Sequence, residues 1–208
     1  MQFKNTIFIA AITAVAALSS PVSAAIVASA TTPLNIRSGP GPQYSIIGAI
    51  PNSGQATVIG CIQGSLWCQV SYSGKLGWAY SQYLTARLSG STFVVADTVS
   101  EMPTVTYQAP IETVGSAVSG PAITGTLVER PATAQPLVIT PPPTVGSYVV
   151  SHPVTPVYLN GEVVEGVGLP ENVTLAPVPG YDDYEYAYVN NVPILVEPAT
   201  RRVEYIYR

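Results

Sequence analysis

The run Leu34-Asn35-Ile36-Arg37, stopped at once by Ser38-Gly39-Pro40-Gly41, limits this chain more than any other feature. Apolar Leu34 and Ile36 alternate with polar Asn35 and Arg37, as in a strand with one buried face. Glycine accepts positive φ and proline presets φ near −65°, so the four residues after Arg37 neither extend a strand nor start a helix. The pattern resumes at Ile46-Ile47-Gly48-Ala49-Ile50, turns at Pro51-Asn52-Ser53-Gly54 and continues through Ala56-Thr57-Val58-Ile59-Gly60-Cys61. Short strands at this spacing predict a small barrel, and 20 prolines argue against long helices.

Further ordered elements follow at Trp67-Cys68-Gln69-Val70, Gly77-Trp78 and Tyr83-Leu84. Together with Leu34 to Gly41 they resemble the bacterial SH3 domain (SH3b), over roughly residues 30 to 86. The resemblance implies a five- to six-stranded SH3-like barrel of the kind found as a wall- or peptide-binding module in exported bacterial proteins. It implies no catalysis, because a fold acts only through a site.

The N-terminus reads as a secretory signal peptide over residues 1–24. Lys4 precedes an apolar run from Ile7 to Leu18, and Val22-Ser23-Ala24 offers small residues before a cleavage between Ala24 and Ala25. The run is short for a bilayer span, so no stable membrane insertion is expected after cleavage. Cysteine use agrees with export to the periplasm or beyond. The two cysteines, Cys61 and Cys68, lie symmetrically about Gly64-Ser65, which suits a two-residue type II′ turn and places them opposite each other as a hydrogen-bonded pair. A structural disulfide is expected. No metal site is expected, since His152 is the sole histidine and lies far along the chain.

Charge divides the chain. From residue 25 to 96 there are Arg37, Lys75 and Arg87 and no acid, whereas all 12 Asp and Glu lie from Asp97 onward against four arginines. An acid-free barrel suits an anionic or neutral surface, and an acidic tail does not. Three scattered basic residues make no phosphate-tracking patch, so nucleic acid is excluded.

After the barrel module (25–87), residues 88–153 read as a low-complexity linker rich in Pro, Thr and Val, with Pro141-Pro142-Pro143 as a stiff element able to hold two modules apart. Thr92-Phe93-Val94-Val95-Ala96 offers one more strand to the barrel. Residues 154–208 read as a separate β-meander. Val157-Tyr158-Leu159, Asn160-Gly161 and Glu162-Val163-Val164 predict a hairpin. Tyr184-Glu185-Tyr186-Ala187-Tyr188-Val189, Asn190-Asn191 and Val192-Pro193-Ile194-Leu195-Val196 predict a second, and Val203-Glu204-Tyr205-Ile206-Tyr207 a further strand. The stretch from Tyr188 to Val203, with Leu169-Pro170-Glu171-Asn172-Val173-Thr174-Leu175 upstream, resembles a C-terminal domain of unknown function from small exported proteins of rhizobia-like alphaproteobacteria. That resemblance implies no activity. The fold class is therefore all-β: barrel, linker and meander.

The chain has no Gly-x-Ser-x-Gly elbow, no phosphate-binding glycine loop and no histidine beside a cysteine, so no enzyme and no cofactor is expected. Asp182, Asp183 and Glu185 form an acidic turn too sparse for a calcium shell. The candidate ligand-binding residues are the barrel aromatics Tyr44, Trp67, Trp78, Tyr80 and Tyr83, with Arg37. Rings suit sugar faces and peptide prolines, while a small domain needs the same rings for its core. Arg37 suits a ligand carboxylate or phosphate held bidentately, or the carbonyls of its own turn. Tyr184, Tyr186 and Tyr188 share one face of their strand, as a second surface or as packing. These residues lead to an exported, non-enzymatic envelope protein that binds peptidoglycan or an envelope peptide. The alternative is a protein-interaction or assembly role without wall affinity.

Overall fold

Alternating strands and tight turns build the first half of the molecule. The computed structural model describes residues 26–88, 90–108, 122–130 and 139–208. The signal-peptide reading lies outside them. Strands β1 (Ile26–Ala30), β2 (Leu34–Arg37), β3 (Ile46–Ile50), β4 (Gln55–Cys61), β5 (Trp67–Tyr72), β6 (Lys75–Tyr80), β7 (Leu84–Leu88) and β8 (Ser91–Val94) form one antiparallel sheet. Its order is β3-β2-β6-β5-β4-β1-β7-β8, so β3 and β8 are edges and the sheet is open. The strand expected near Thr92 is β8. Ser73 and Gly74 both have positive φ, giving the two-residue turn whose twist matches the β5–β6 hairpin.

Every residue of β2 is buried. Leu34 and Ile36 enter the core with Ile50, Val58 and Val70, while Asn35 and Arg37 face the other way by period-two alternation. Across the sheet Arg37 lies opposite Trp78, Trp78 opposite Gln69 and Gln69 opposite Gly60, and Trp67 lies opposite Tyr80. Directly paired residues share a face, so Arg37, Trp67, Trp78 and Tyr80 stand on one side of the sheet.

Cys61 and Cys68 form the expected disulfide, at a Cα separation of 4.0 Å. Closing so short a loop stabilises the fold by about 2 to 3 kcal/mol on the chain-entropy account. The turn differs from expectation. The Ser65 amide donates to the Ile62 carbonyl, so Gln63 and Gly64 are the central residues, and Gly64 supplies the positive φ. The cysteines are not a hydrogen-bonded pair either, because the Cys61 amide and carbonyl pair with Pro103 and Val105 of a later segment.

The described parts of the expected linker, residues 90–108, 122–130 and 139–153, do more than separate two modules. A 3₁₀ segment, Val95–Glu101, buries Val95 and Val99, and Met102 and Leu127 also reach the core. β9 (Ile123–Thr126) pairs in parallel with β10 (Tyr158–Asn160), and Pro143–Ser151 forms helix α1 with proline at its first position, where a missing amide proton costs nothing. Composition without periodicity hid these elements, since each apolar residue finds its own partner in the core.

The C-terminal sheet holds β11 (Ala176–Val178), β12 (Tyr181–Val189), β13 (Val192–Glu197) and β14 (Arg202–Ile206), all antiparallel in that order. The Asn190-Asn191 turn has positive φ at both residues, as such a hairpin requires. The other expected hairpin, at Asn160-Gly161, does not form. β10 pairs with β9 instead, and Glu162-Val163-Val164 is buried without being a strand because Glu162 is drawn into an ion pair.

One face of the C-terminal sheet, with Ala187, Val189, Ile194, Val196 and Val203, shares a continuous core with the N-terminal sheet. The other face carries Tyr184, Tyr186 and Tyr188 under α1, whose Val145 and Val149 are buried there. Gly146 of α1 lies where a Cβ would meet the Tyr207 ring. The tyrosine stripe is thus a packed face.

Candidate functional site

The side of the N-terminal sheet that collects Arg37, Trp67, Trp78 and Tyr80 is covered by the chain's own later segments. Arg37 is fully buried, and its guanidinium is saturated. Nε donates to Glu162 Oε2 at 2.6 Å and Nη2 to Oε1 at 2.8 Å, a bidentate pair. Nη1 donates to the carbonyls of Pro42 and Tyr44, both at 2.9 Å, and both Nη atoms reach the Asn190 carbonyl. Glu162 Oε1 also accepts from Asn35 Nδ2 and from the Val163 amide. Asn190 is itself fixed, since its amide bonds the Leu159 and Gly161 carbonyls. The two uses that the sequence suggested for Arg37, gripping a carboxylate and pinning its turn, occur together, with the carboxylate supplied in cis.

The rings are engaged too. Trp67 and Trp78 are 4% and 3% exposed, and Tyr80 and Tyr83 are buried. The Tyr80 hydroxyl donates to Glu129 Oε1 at 2.7 Å. Burial, then that bond to Glu129, raises the Tyr80 pKa far above the usual phenol range, so it remains a donor. Burial likewise pushes Tyr83 up to about 12. Tyr44 lies over Gly39, which has no room for a Cβ beneath that ring. Tyr107 stands edge-on to both Tyr44 and Trp78, with centroids at 5.4 and 5.6 Å. Burial first, and the neighbouring Tyr44 second, raise the Tyr107 pKa.

Four of the six candidates, Arg37, Trp67, Trp78 and Tyr80, therefore share one face, with Tyr83 against Tyr80 (6.2 Å between rings) and Tyr44 at the end near Tyr107. Sequence reasoning missed Glu162, Glu129, Tyr107 and Asn190, which fill that face from outside the barrel. One signal was legible: an arginine in a buried strand of an acid-free half needs its carboxylate from the other half. Nothing marked Tyr107 except that it is a lone aromatic in a stretch poor in them.

Among the described residues no group of three or more His, Cys, Asp or Glu is placed to hold a metal ion. An acidic recess of about 340 Å³ lies by Asp182, Asp183, Glu197 and Glu204 on the C-terminal sheet. Burial, then Glu197 and Asp183, raise the Glu204 pKa. No described helix is long and apolar enough to cross a membrane.

Comparison with known proteins agrees with this division. Residues 32–85 match the family described as a bacterial SH3 domain, and residues 148–208 match the domain of unknown function DUF1236. The chain thus carries a bacterial SH3 domain followed by a DUF1236 domain. It is also similar to "Putative N-acetylmuramoyl-L-alanine amidase YrvJ" of Bacillus subtilis (strain 168), at 41% identity over 76 residues. That match spans 36% of this chain and 14% of the amidase.

Proposed function

We propose that this is an exported, non-enzymatic envelope protein whose SH3 module binds peptide, either the peptide part of peptidoglycan or a segment of an envelope protein. The observation that carries this reading is the Arg37–Trp78–Tyr80 face. Its cation and rings take the carboxylates of Glu162 and Glu129 and the ring of Tyr107 from elsewhere in the same chain, the chemistry of a peptide-binding face whose groups are engaged in cis. The SH3 match and the partial likeness to a protein named as a putative N-acetylmuramoyl-L-alanine amidase support an envelope setting.

Other features fit a binding role without chemistry of its own. Both cysteines are joined in the disulfide, a bond that persists in oxidising compartments. His152 stacks on Tyr148 at 4.1 Å, with Nδ1 against Ser151 Oγ and the Tyr148 carbonyl. The assembly alternative draws on the same face, since rings and paired carboxylates suit a protein segment as well as a wall peptide.

Co-sedimentation of the full chain with purified sacculi separates the two. Partition into the pellet that persists at raised salt is expected for ring-mediated wall binding, because salt screens charge contacts and leaves apolar ones. A folded chain that stays in the supernatant at low salt overturns wall binding and leaves an envelope protein as the partner.

A further inference from the structure

Among the groups that cover the N-terminal sheet, one segment is held like a bound ligand. Residues Pro103 to Tyr107 run extended beside the end of β4, in parallel pairing of Thr104 with Cys61. The Cys61 amide donates to the Pro103 carbonyl at 2.8 Å, and the Val105 amide donates to the Cys61 carbonyl at 3.1 Å. Gln63 Nε2 adds a bond to Thr104 Oγ1 at 3.2 Å. Gly60 is what lets the segment approach: a Cβ there would collide with the Pro103 carbonyl oxygen and the Val105 side chain. Val105 packs on the core, and two residues later the Tyr107 ring enters between Tyr44 and Trp78.

This is strand addition: backbone pairing at one end and a side-chain pocket at the other. Gly60, Gln69 and Trp78 form a single row across β4, β5 and β6, so pairing edge and aromatic pocket lie on one line. The disulfide keeps Cys61, which makes both backbone bonds, tied to β5.

We infer that the row from Cys61 and Gly60 to the Tyr44–Trp78 pair is a peptide-binding groove, occupied here by the chain's own Pro103–Tyr107 segment, and that its ligand in trans is an extended segment of another envelope protein. That segment carries a β-branched residue two positions before an aromatic one, as Val105 precedes Tyr107. The inference rests on the reading of the SH3 module as a peptide binder. It adds the ligand's pattern and the competition with the internal segment.

The probe is a synthetic peptide of residues 101–108, Glu-Met-Pro-Thr-Val-Thr-Tyr-Gln, titrated into the full chain carrying Tyr107→Ala and followed by tryptophan fluorescence. Saturable binding is expected, at least ten-fold tighter than to the unsubstituted chain, and lost at least ten-fold when the peptide's tyrosine is alanine. Equal binding to both chains, or none to a variant with an unchanged far-ultraviolet spectrum and a cooperative melt, overturns the groove. So does insensitivity to loss of the peptide's tyrosine.

Should Tyr107→Ala fail to fold, hydrogen exchange on the unsubstituted chain decides. The Cys61 and Val105 amides are expected to exchange at least ten-fold faster than the slowest core amides, by local opening of the segment. Exchange at the core rate makes the segment a permanent part of the fold and ends the proposal. A concentration-dependent dimer that the peptide dissolves would replace the foreign partner by a second copy of this chain. Sacculi report separately: peptide binding without sedimentation leaves this groove standing and removes only wall binding.

Discussion

The two sheets each present an aromatic face, and each face is covered by chain from outside its own sheet, yet they are closed by different chemistry. Over the N-terminal sheet the seal is ionic. Arg37 is buried with Glu162, and every donor of the guanidinium is used. Over the C-terminal sheet the seal is neutral. The Tyr186 hydroxyl donates to the His152 carbonyl at 2.9 Å and the Tyr188 hydroxyl to the Val149 carbonyl at 3.0 Å, which satisfies acceptors that the end of α1 leaves open. Asp182 and Asp183 of this sheet stay at the surface. A buried cation admits few partners, because any misplacement strands a charge in a dry interior. Hydroxyl-to-carbonyl bonds tolerate more. The ionic face therefore fixes how the two modules dock, and the tyrosine face holds a helix that adds stability in small steps.

This contrast has measurable consequences. The largest is expected from Glu162→Ala, which leaves Arg37 buried and unpaired and should cost about 3 to 5 kcal/mol in denaturant unfolding. Replacing both partners, as Arg37→Met with Glu162→Leu, should recover only part of that loss, because it removes the desolvated charge but leaves the Asn35 amide and the Pro42 and Tyr44 carbonyls without their partners. A single-variant cost below about 1 kcal/mol, the range of a surface pair, would break the contrast.

A middle effect belongs to the tyrosine face. Tyr186→Phe and Tyr188→Phe each remove one hydrogen bond and should cost about 1 kcal/mol. A loss as large as that of Glu162→Ala would put the two faces on equal terms.

The smallest concerns Glu204. Burial, then Glu197 and Asp183, raise its pKa, so the folded protein holds that proton more tightly than the unfolded chain does. Its favourable contribution is present below the ordinary carboxylate range and is lost as pH rises through the folded value. Glu204→Gln should therefore raise the melting temperature slightly at pH 7, and the gain should vanish near pH 3. An unchanged melting temperature at both pH values would show that solvent screens the recess fully.

Legibility in the sequence followed locality. The turn after Arg37, the strands around it, the Cys61–Cys68 bridge and the Asn190-Asn191 hairpin all depend on residues a few positions apart, and all are present. The Asn160-Gly161 hairpin failed although its local signal was as good. Glu162 gains more by meeting Arg37, 125 positions away, than its neighbours gain by pairing locally. The aromatic candidates illustrate the same boundary. Period-two alternation puts Trp78 and Tyr80 on one face of β6, but only the long-range pairing of β2 with β6 brings Arg37 to that face, and alternation says nothing about what lies over it.

What the sequence by itself determined is the all-β character, the two-module order and the disulfide, because short-range sterics and side-chain period dictate them, whereas the grouping of the barrel rings on the Arg37 face came from the pairing of β2 with β6. What only the tertiary structure decided is that this face is closed by Glu162, Glu129 and Tyr107, and that the proline-rich middle of the chain is where some of that cover comes from. Those contacts join residues from about 30 to 125 positions apart. Desolvation of the ion pair and the fit of one ring between two others select them, and both become effective only once the two halves are packed together.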